Sequence, residues 1–138
     1  MKQMHKIIEI LTQNKNLYEV TKSVKDFVVQ SKIFEGLVNV STLHTSCSLI
    51  VQENADDSVK KDILNFFEKL CPENFDYNHQ SEGLDDMPAH LRAVITQNNL
   101  TFSVVNNEIL LGQWQGIYLF EHRRNKKIRK IQLHILGE

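Results

Sequence analysis

Apolar and polar residues alternate toward both ends of this chain and recur at helical spacing through its middle. Residues 4–12 (MHKIIEILT) and 17–21 (LYEVT) carry Ile, Val and Tyr around a polar Asn-Lys-Asn and predict two strands. In 23–36, Val24, Phe27, Val28, Ser31 and Phe34 share a helical face, with Ser23 as a candidate cap and Gly36 as a candidate stop. Residues 37–52 read as strand, bend, strand, broken at His44-Thr45-Ser46. Val59, Ile63, Phe66, Phe67 and Leu70 predict a helix over 57–70, with Asp56, Asp57 and Ser58 available to cap it and Pro72 just beyond. The polar stretch 73–86 reads as a loop, and Pro88 opens a short helix, PAHLRAVITQ. Segments 100–105 and 108–114 flank Asn106-Asn107, a two-residue hairpin signal, and 116–122 continues as strand. In 128–136, Ile131, Leu133 and Ile135 alternate with Lys130, Gln132 and His134. About seven strands with three helices grouped centrally predict an α+β fold with a mostly antiparallel sheet, in one domain over 1–138.

Composition adds exclusions. Sixteen cations against seventeen anions give a net charge of −1, which argues against a dedicated nucleic-acid binder, although six cations fall between Arg123 and Lys130. No apolar run reaches the ~18 residues of a membrane span, and no signal-peptide pattern opens the chain, so a cytoplasmic protein without membrane association is expected. Two cysteines, Cys47 and Cys71, make neither a disulfide framework nor a thiolate zinc motif.

Three segments carry candidate chemistry. His44-Thr45-Ser46 sets an imidazole and two hydroxyls at a strand break, suited to a metal or an oxyanion, or to a turn that satisfies its own backbone. The stretch His79-x-x-Glu82-Gly83-x-Asp85-Asp86-Met87-Pro88-x-His90 concentrates two imidazoles and three carboxylates. Imidazole with carboxylate suits Zn²⁺ or Mn²⁺, and Asp85 and Asp86 equally suit a helix N-terminus. Gly112-Gln113-Trp114-Gln115-Gly116, followed by Tyr118, Glu121, His122 and Arg123, brackets a Trp with glycines inside a strand pattern, as a ligand approach or a core Trp would require. The 123–130 cations read as a solvated hairpin tip or a phosphate-recognition edge, and Cys47 as a small core residue rather than a partner of His44.

Taken in order, His44-Thr45-Ser46, Glu82 through His90, Gly112 through Arg123 and the terminal Leu136-Gly137-Glu138 resemble the YjbQ-like family, also called the secondary thiamine-phosphate synthase family. The likeness covers about Leu37 to Glu138, and more loosely the N-terminal strands; the family usually has Thr where Ser46 and Gln113 stand. It implies an α+β sheet sandwich assembled as a homotrimer. It also implies a polar pocket with His44, Asp86, His90 and Glu121 as catalytic residues, and Thr45, Ser46, Gln115 and Arg123 as substrate-binding residues. His44 and His90 would hold a divalent metal, zinc first and magnesium second. The implied activity, weak or secondary, joins hydroxymethylpyrimidine diphosphate to a thiazole phosphate with release of pyrophosphate. The implied alternatives are a non-catalytic metal- or anion-binding trimer and a metal-assisted hydrolase.

Overall fold

The computed structural model describes residues 1–138 as two antiparallel sheets and three helices. The larger sheet has the order β1 (Lys2–Thr12), β8 (Lys127–Gly137), β3 (Glu35–Thr42), β5 (Asn99–Val105), β6 (Glu108–Ile109). The smaller places β7 (Gln115–Glu121) between β2 (Asn16–Glu19) and β4 (Cys47–Glu53). The α+β class is therefore as predicted, and no helix is long and apolar enough to cross a membrane.

Strand alternation builds the core. Ile131, Leu133 and Ile135 of β8, with Val38 and Val40 of β3, meet Leu49, Ile117 and Leu119 of the smaller sheet. Helix α1 (Thr21–Ser31) closes this layer with Val24, Phe27 and Val28. On the outer face of the smaller sheet, α2 (Asp57–Leu70) packs Ile63, Leu64 and Phe67 over Leu17, Tyr118 and Phe120. The Phe67 and Phe120 rings meet edge-on at 5.1 Å, a favourable aromatic geometry. β7 is thus covered on both faces, which is why it reads as an apolar run without alternation.

Several boundaries differ from the prediction. Helix α1 starts at Thr21, without a cap from Ser23, and ends at Lys32 in the left-handed conformation (φ 58°). Asn107 Nδ2 donates to the carbonyls of Val28 and Ile33 there, and the Asn106-Asn107 pair makes the predicted hairpin with φ 54° and 61°. The third helix, α3 (Asp86–Ile95), begins two residues before Pro88, which still lies in the first turn where its missing N–H costs nothing. Strand β6 stops at Ile109, so Gly112, Gln113 and Trp114 form a loop rather than strand interior.

Gly36 is not a helix stop. It sits in β3 opposite Gly137 of β8, where a Cβ would lie 2.1 Å from the Leu136 carbonyl oxygen and 2.9 Å from Gly137 Cα. Gly36→Ala is expected to destabilise by about 3 kcal/mol, because rigid backbone rather than a movable side chain is in the way. Gly112→Ala, whose Cβ would meet only the Gln115 side chain at 3.3 Å, is the near-neutral control in the same urea titration.

Candidate metal centre

One end of the smaller sheet gathers four segments. These are the β3–β4 connection, the 73–85 loop with the start of α3, the end of β7, and the start of β8. Asp86 and His90 are one helical turn apart and therefore share a face of α3. Asp86, 2% exposed, directs both carboxylate oxygens at partners. Oδ1 accepts from Arg123 Nη1 at 2.5 Å, while Oδ2 lies 2.6 Å from His79 Nε2 and 3.3 Å from His90 Nε2. His79, Asp86 and His90 each offer one ligand atom, all within 4.8 Å of one another. Burial works to raise the Asp86 pKa, but the His79 hydrogen bond and the Arg123 charge outweigh it and hold the carboxyl below its ordinary value.

His90 Nδ1 lies 3.0 Å from the Thr45 carbonyl oxygen. A carbonyl only accepts, so Nδ1 carries the proton and Nε2 is the atom turned toward Asp86. Two electron-rich atoms 3.3 Å apart need a positive charge between them, either a proton on Nε2 or a metal ion. A ligating imidazole whose other N–H is fixed by a backbone carbonyl is the usual outer-shell arrangement at metal centres.

His44 does not join this ligand set. Its Nε2 accepts the Lys130 backbone N–H at 2.8 Å. Burial and the Arg129 charge hold its pKa below the ordinary value, so the neutral ring keeps its proton on Nδ1 and has no lone pair left for a metal. Of the expected His44/His90 pair, only His90 lies in the group that could hold an ion, together with His79 and Asp86. His44 and His90 nevertheless share the lining of one cleft of ≈ 540 Å³, with Thr45, Thr96 and Asn98. His44 brings a hydrogen-bond donor to that cleft rather than a ligand.

Further expectations change. Glu121 is fully buried and does not reach the cleft. It accepts from Thr12 Oγ1 at 2.5 Å, from Arg129 Nε and Nη2 at 2.7 and 2.6 Å, and from the His122 and Arg123 backbone N–H groups. Arg129 in turn donates to the Ser46 carbonyl and Oγ at 3.1 and 2.9 Å. Glu121 and Ser46 thus position the His44-Thr45 segment instead of touching substrate. Arg123 is likewise engaged, with Nε on Asp85, Nη1 on Asp86 and Nη2 on the Glu82 carbonyl, so it fixes Asp86 rather than binding substrate. Gln115 accepts the Gly112 N–H at the far end of β7, about 20 Å from Glu121 at strand rise. In the 123–130 run, Arg123, Arg124 and Arg129 face carboxylates, while Lys126 and Lys130 are exposed and in no ion pair.

The profile of the family described as UPF0047 protein YjbQ-like matches residues 6–138. This chain belongs to that family. A Synechocystis UPF0047 protein is 42% identical over 138 residues, covering 99% of this chain and 94% of the other. The YjbQ protein of Escherichia coli O157:H7 is 40% identical over 103 residues, covering 75% of each. A YjbQ/UPF0047 structure from Clostridium acetobutylicum superposes with a TM-score of 0.83 at 30% identity, over 94% of this chain and 99% of that one. A YbjQ-like protein from Sulfolobus solfataricus gives 0.88 at 23% identity, over 99% and 100%, a likeness of fold.

Two residues of this YjbQ-family chain stood in the candidate segments without a role assigned to them. His79 lies in the acidic segment but outside the helix that carries Asp86 and His90, and only the folded loop returns it to them. His122 is buried against Ser48 Oγ, 2.8 Å from its Nε2, and burial pushes its pKa down from 6.5 to about 3. Between those values the unfolded chain binds a proton that the folded chain refuses. Stability is whole above pH 6.5 and falls as pH drops toward 3, by about 3 kcal/mol at pH 4. His122→Gln is expected to flatten that dependence in urea titrations at pH 7 and pH 4; parallel curves for the variant and the natural protein would rule this group out.

Proposed function

We propose that this chain is a divalent-metal-dependent transferase acting on a small phosphorylated substrate. The specific reaction is thiamine-phosphate formation from hydroxymethylpyrimidine diphosphate and thiazole phosphate. The observation that carries the reading is His90, whose Nδ1–H is committed to Thr45 so that Nε2 joins His79 Nε2 around one oxygen of buried Asp86. Two imidazoles and one carboxylate favour zinc over magnesium, which prefers oxygen ligands. A bound ion would stabilise negative charge on the departing diphosphate.

The chain's own residues do the rest. His79, Asp86 and His90 would hold the ion, and Arg123 Nη1 fixes Asp86 through its other carboxylate oxygen. His44 offers its Nδ1–H, and Thr45 its hydroxyl, to phosphate oxygens in the cleft they share. The carbon–oxygen bond breaks with its electron pair leaving on the diphosphate, and the thiazole nitrogen supplies the pair for the new carbon–nitrogen bond. No oxidation and no strong base are required.

The proposal includes a homotrimer in the cytoplasm. The outward face of the larger sheet leaves Ile7, Leu11, Leu37 and Ile128 exposed, an apolar surface suited to a second copy. Light scattering is expected to give three times the monomer mass, and a monomeric reading would remove the trimer.

The test is a product assay on purified protein with zinc or magnesium, beside metal analysis and pyrophosphate titration. Thiamine phosphate from the natural protein, with none from His90→Ala, supports the reaction. Bound zinc without product leaves an ion- and anion-binding protein. Orthophosphate release alone assigns a hydrolase. His44→Gln is expected to keep zinc but lose about tenfold in pyrophosphate affinity, one charge-assisted hydrogen bond.

A further inference from the structure

The imidazole of His79 belongs to two spaces. Its Nε2 faces Asp86, and its ring also walls a second cavity of ≈ 330 Å³, while His90, whose ring centroid lies 5.6 Å from that of His79, lines the cleft with His44. The rest of that cavity comes from the 73–84 loop, notably Phe75, Tyr77, Leu84, Asn74 and Gln80. Phe75 is 65% exposed and Leu84 72% exposed. Their neighbour Tyr77 is fixed: its hydroxyl donates to the Pro72 carbonyl at 2.6 Å, and its ring lies 4.9 Å from Phe75, tilted at 46°. The loop thus holds two aromatic faces and a leucine around a small space, with the side-chain amides of Asn74 and Gln80 beside them. Three apolar side chains with two amides, His79 and the Glu73 carboxylate make a mixed lining of the kind found in small-molecule subsites.

We infer that this cavity is a subsite for a planar ring bearing hydrogen-bonding groups, so that the substrate is a ring-containing phosphate ester lying across His79 with its anionic end toward His44. The ring slides against Phe75 and Tyr77, Leu84 covers its free edge, and the amides meet its polar substituents. The second half of this statement rests on the phosphorylated-substrate reading; the ring subsite itself does not.

The experiment separates the two. Benzamide is titrated into the full-length protein by NMR, and inorganic pyrophosphate, methyl diphosphate and benzyl diphosphate are titrated by calorimetry in the presence of zinc. Benzamide is expected to shift the Phe75, Tyr77 and Leu84 resonances, and benzyl diphosphate to bind at least fivefold tighter than methyl diphosphate. Phe75→Ala and Leu84→Asn, both at exposed positions, are expected to abolish that preference and the benzamide shifts while pyrophosphate affinity stays unchanged. Tight pyrophosphate binding with no benzyl preference would overturn the subsite and leave the phosphate reading standing. Benzamide shifts without pyrophosphate binding would do the reverse. Shifts at Phe75 and Leu84 that follow protein concentration rather than benzamide would give this face to contact between copies and overturn the proposal.

Discussion

Zinc affinity is expected to fall at least about 100-fold in Asp86→Asn, beyond the 10–100-fold typical of losing an outer-shell partner, because here a proposed ligand itself is removed. The charge matters more than the shape. An asparagine oxygen can still accept from Arg123 Nη1 or from His79 Nε2, the two shortest contacts of Asp86 at 2.5 and 2.6 Å, so the fold survives with a loss of about 1–3 kcal/mol. What the amide cannot do is neutralise a divalent ion between His79 and His90. The His79 hydrogen bond and the Arg123 charge hold the native carboxyl below its ordinary pKa, so it offers an ionised oxygen to a cation at neutral pH. Equilibrium dialysis of the two proteins at pH 7, read beside a urea titration, measures both quantities. Unchanged zinc affinity with lower stability would mean that His79, Asp86, His90 and Arg123 form an ion-paired cluster that only ties the 73–85 loop to α3.

The residue pattern revealed those parts of the molecule that depend on neighbours in sequence. Strand β8 shows its inward Ile131, Leu133 and Ile135 directly, since one face is buried and the other is not. Asp56 caps α2 as expected, accepting the Ser58 N–H at 2.9 Å, and the Asn106-Asn107 turn follows from backbone preference alone. Distant pairing hides the rest. Gly36 looks like a helix stop until Gly137, about a hundred positions on, is seen across the ladder. Glu121 and Arg129 look like unrelated surface charges, because nothing local says that both are interior. His79 and His90 both stood out in the acidic segment, but only the folded loop brings His79 to the side of Asp86 that His90 faces, and His44 lines the same cleft as His90 with its Nε2 taken by the Lys130 N–H. Charged residues at this end of the smaller sheet satisfy one another, and such satisfaction is a property of the folded chain.

Glu121→Ala is expected to produce the largest loss of stability of any single change at the site, about 3–5 kcal/mol, which is most of the margin of an ordinary domain. The carboxylate is fully buried and accepts five hydrogen bonds; without it the guanidinium of Arg129, itself nearly inaccessible, loses its only counter-charge. Glu121→Gln keeps the volume but not the charge, and is expected to cost less while still freeing Arg129. A second effect follows along the chain of contacts. Arg129 Nη2 holds Ser46, and the adjoining Thr45 carbonyl orients His90. Freed from Glu121, that connection loosens, and zinc affinity in the folded Gln variant is expected to fall about tenfold, as for loss of an outer-shell partner. Urea titration of both variants and zinc titration of the Gln variant separate the two effects. A Gln variant that is less stable yet binds zinc as tightly as the natural protein would confine Glu121 to the fold and break the link from β7 to His90; a fully stable Ala variant would show that water reaches Arg129 and that the buried pair is not what secures this end of the sheet.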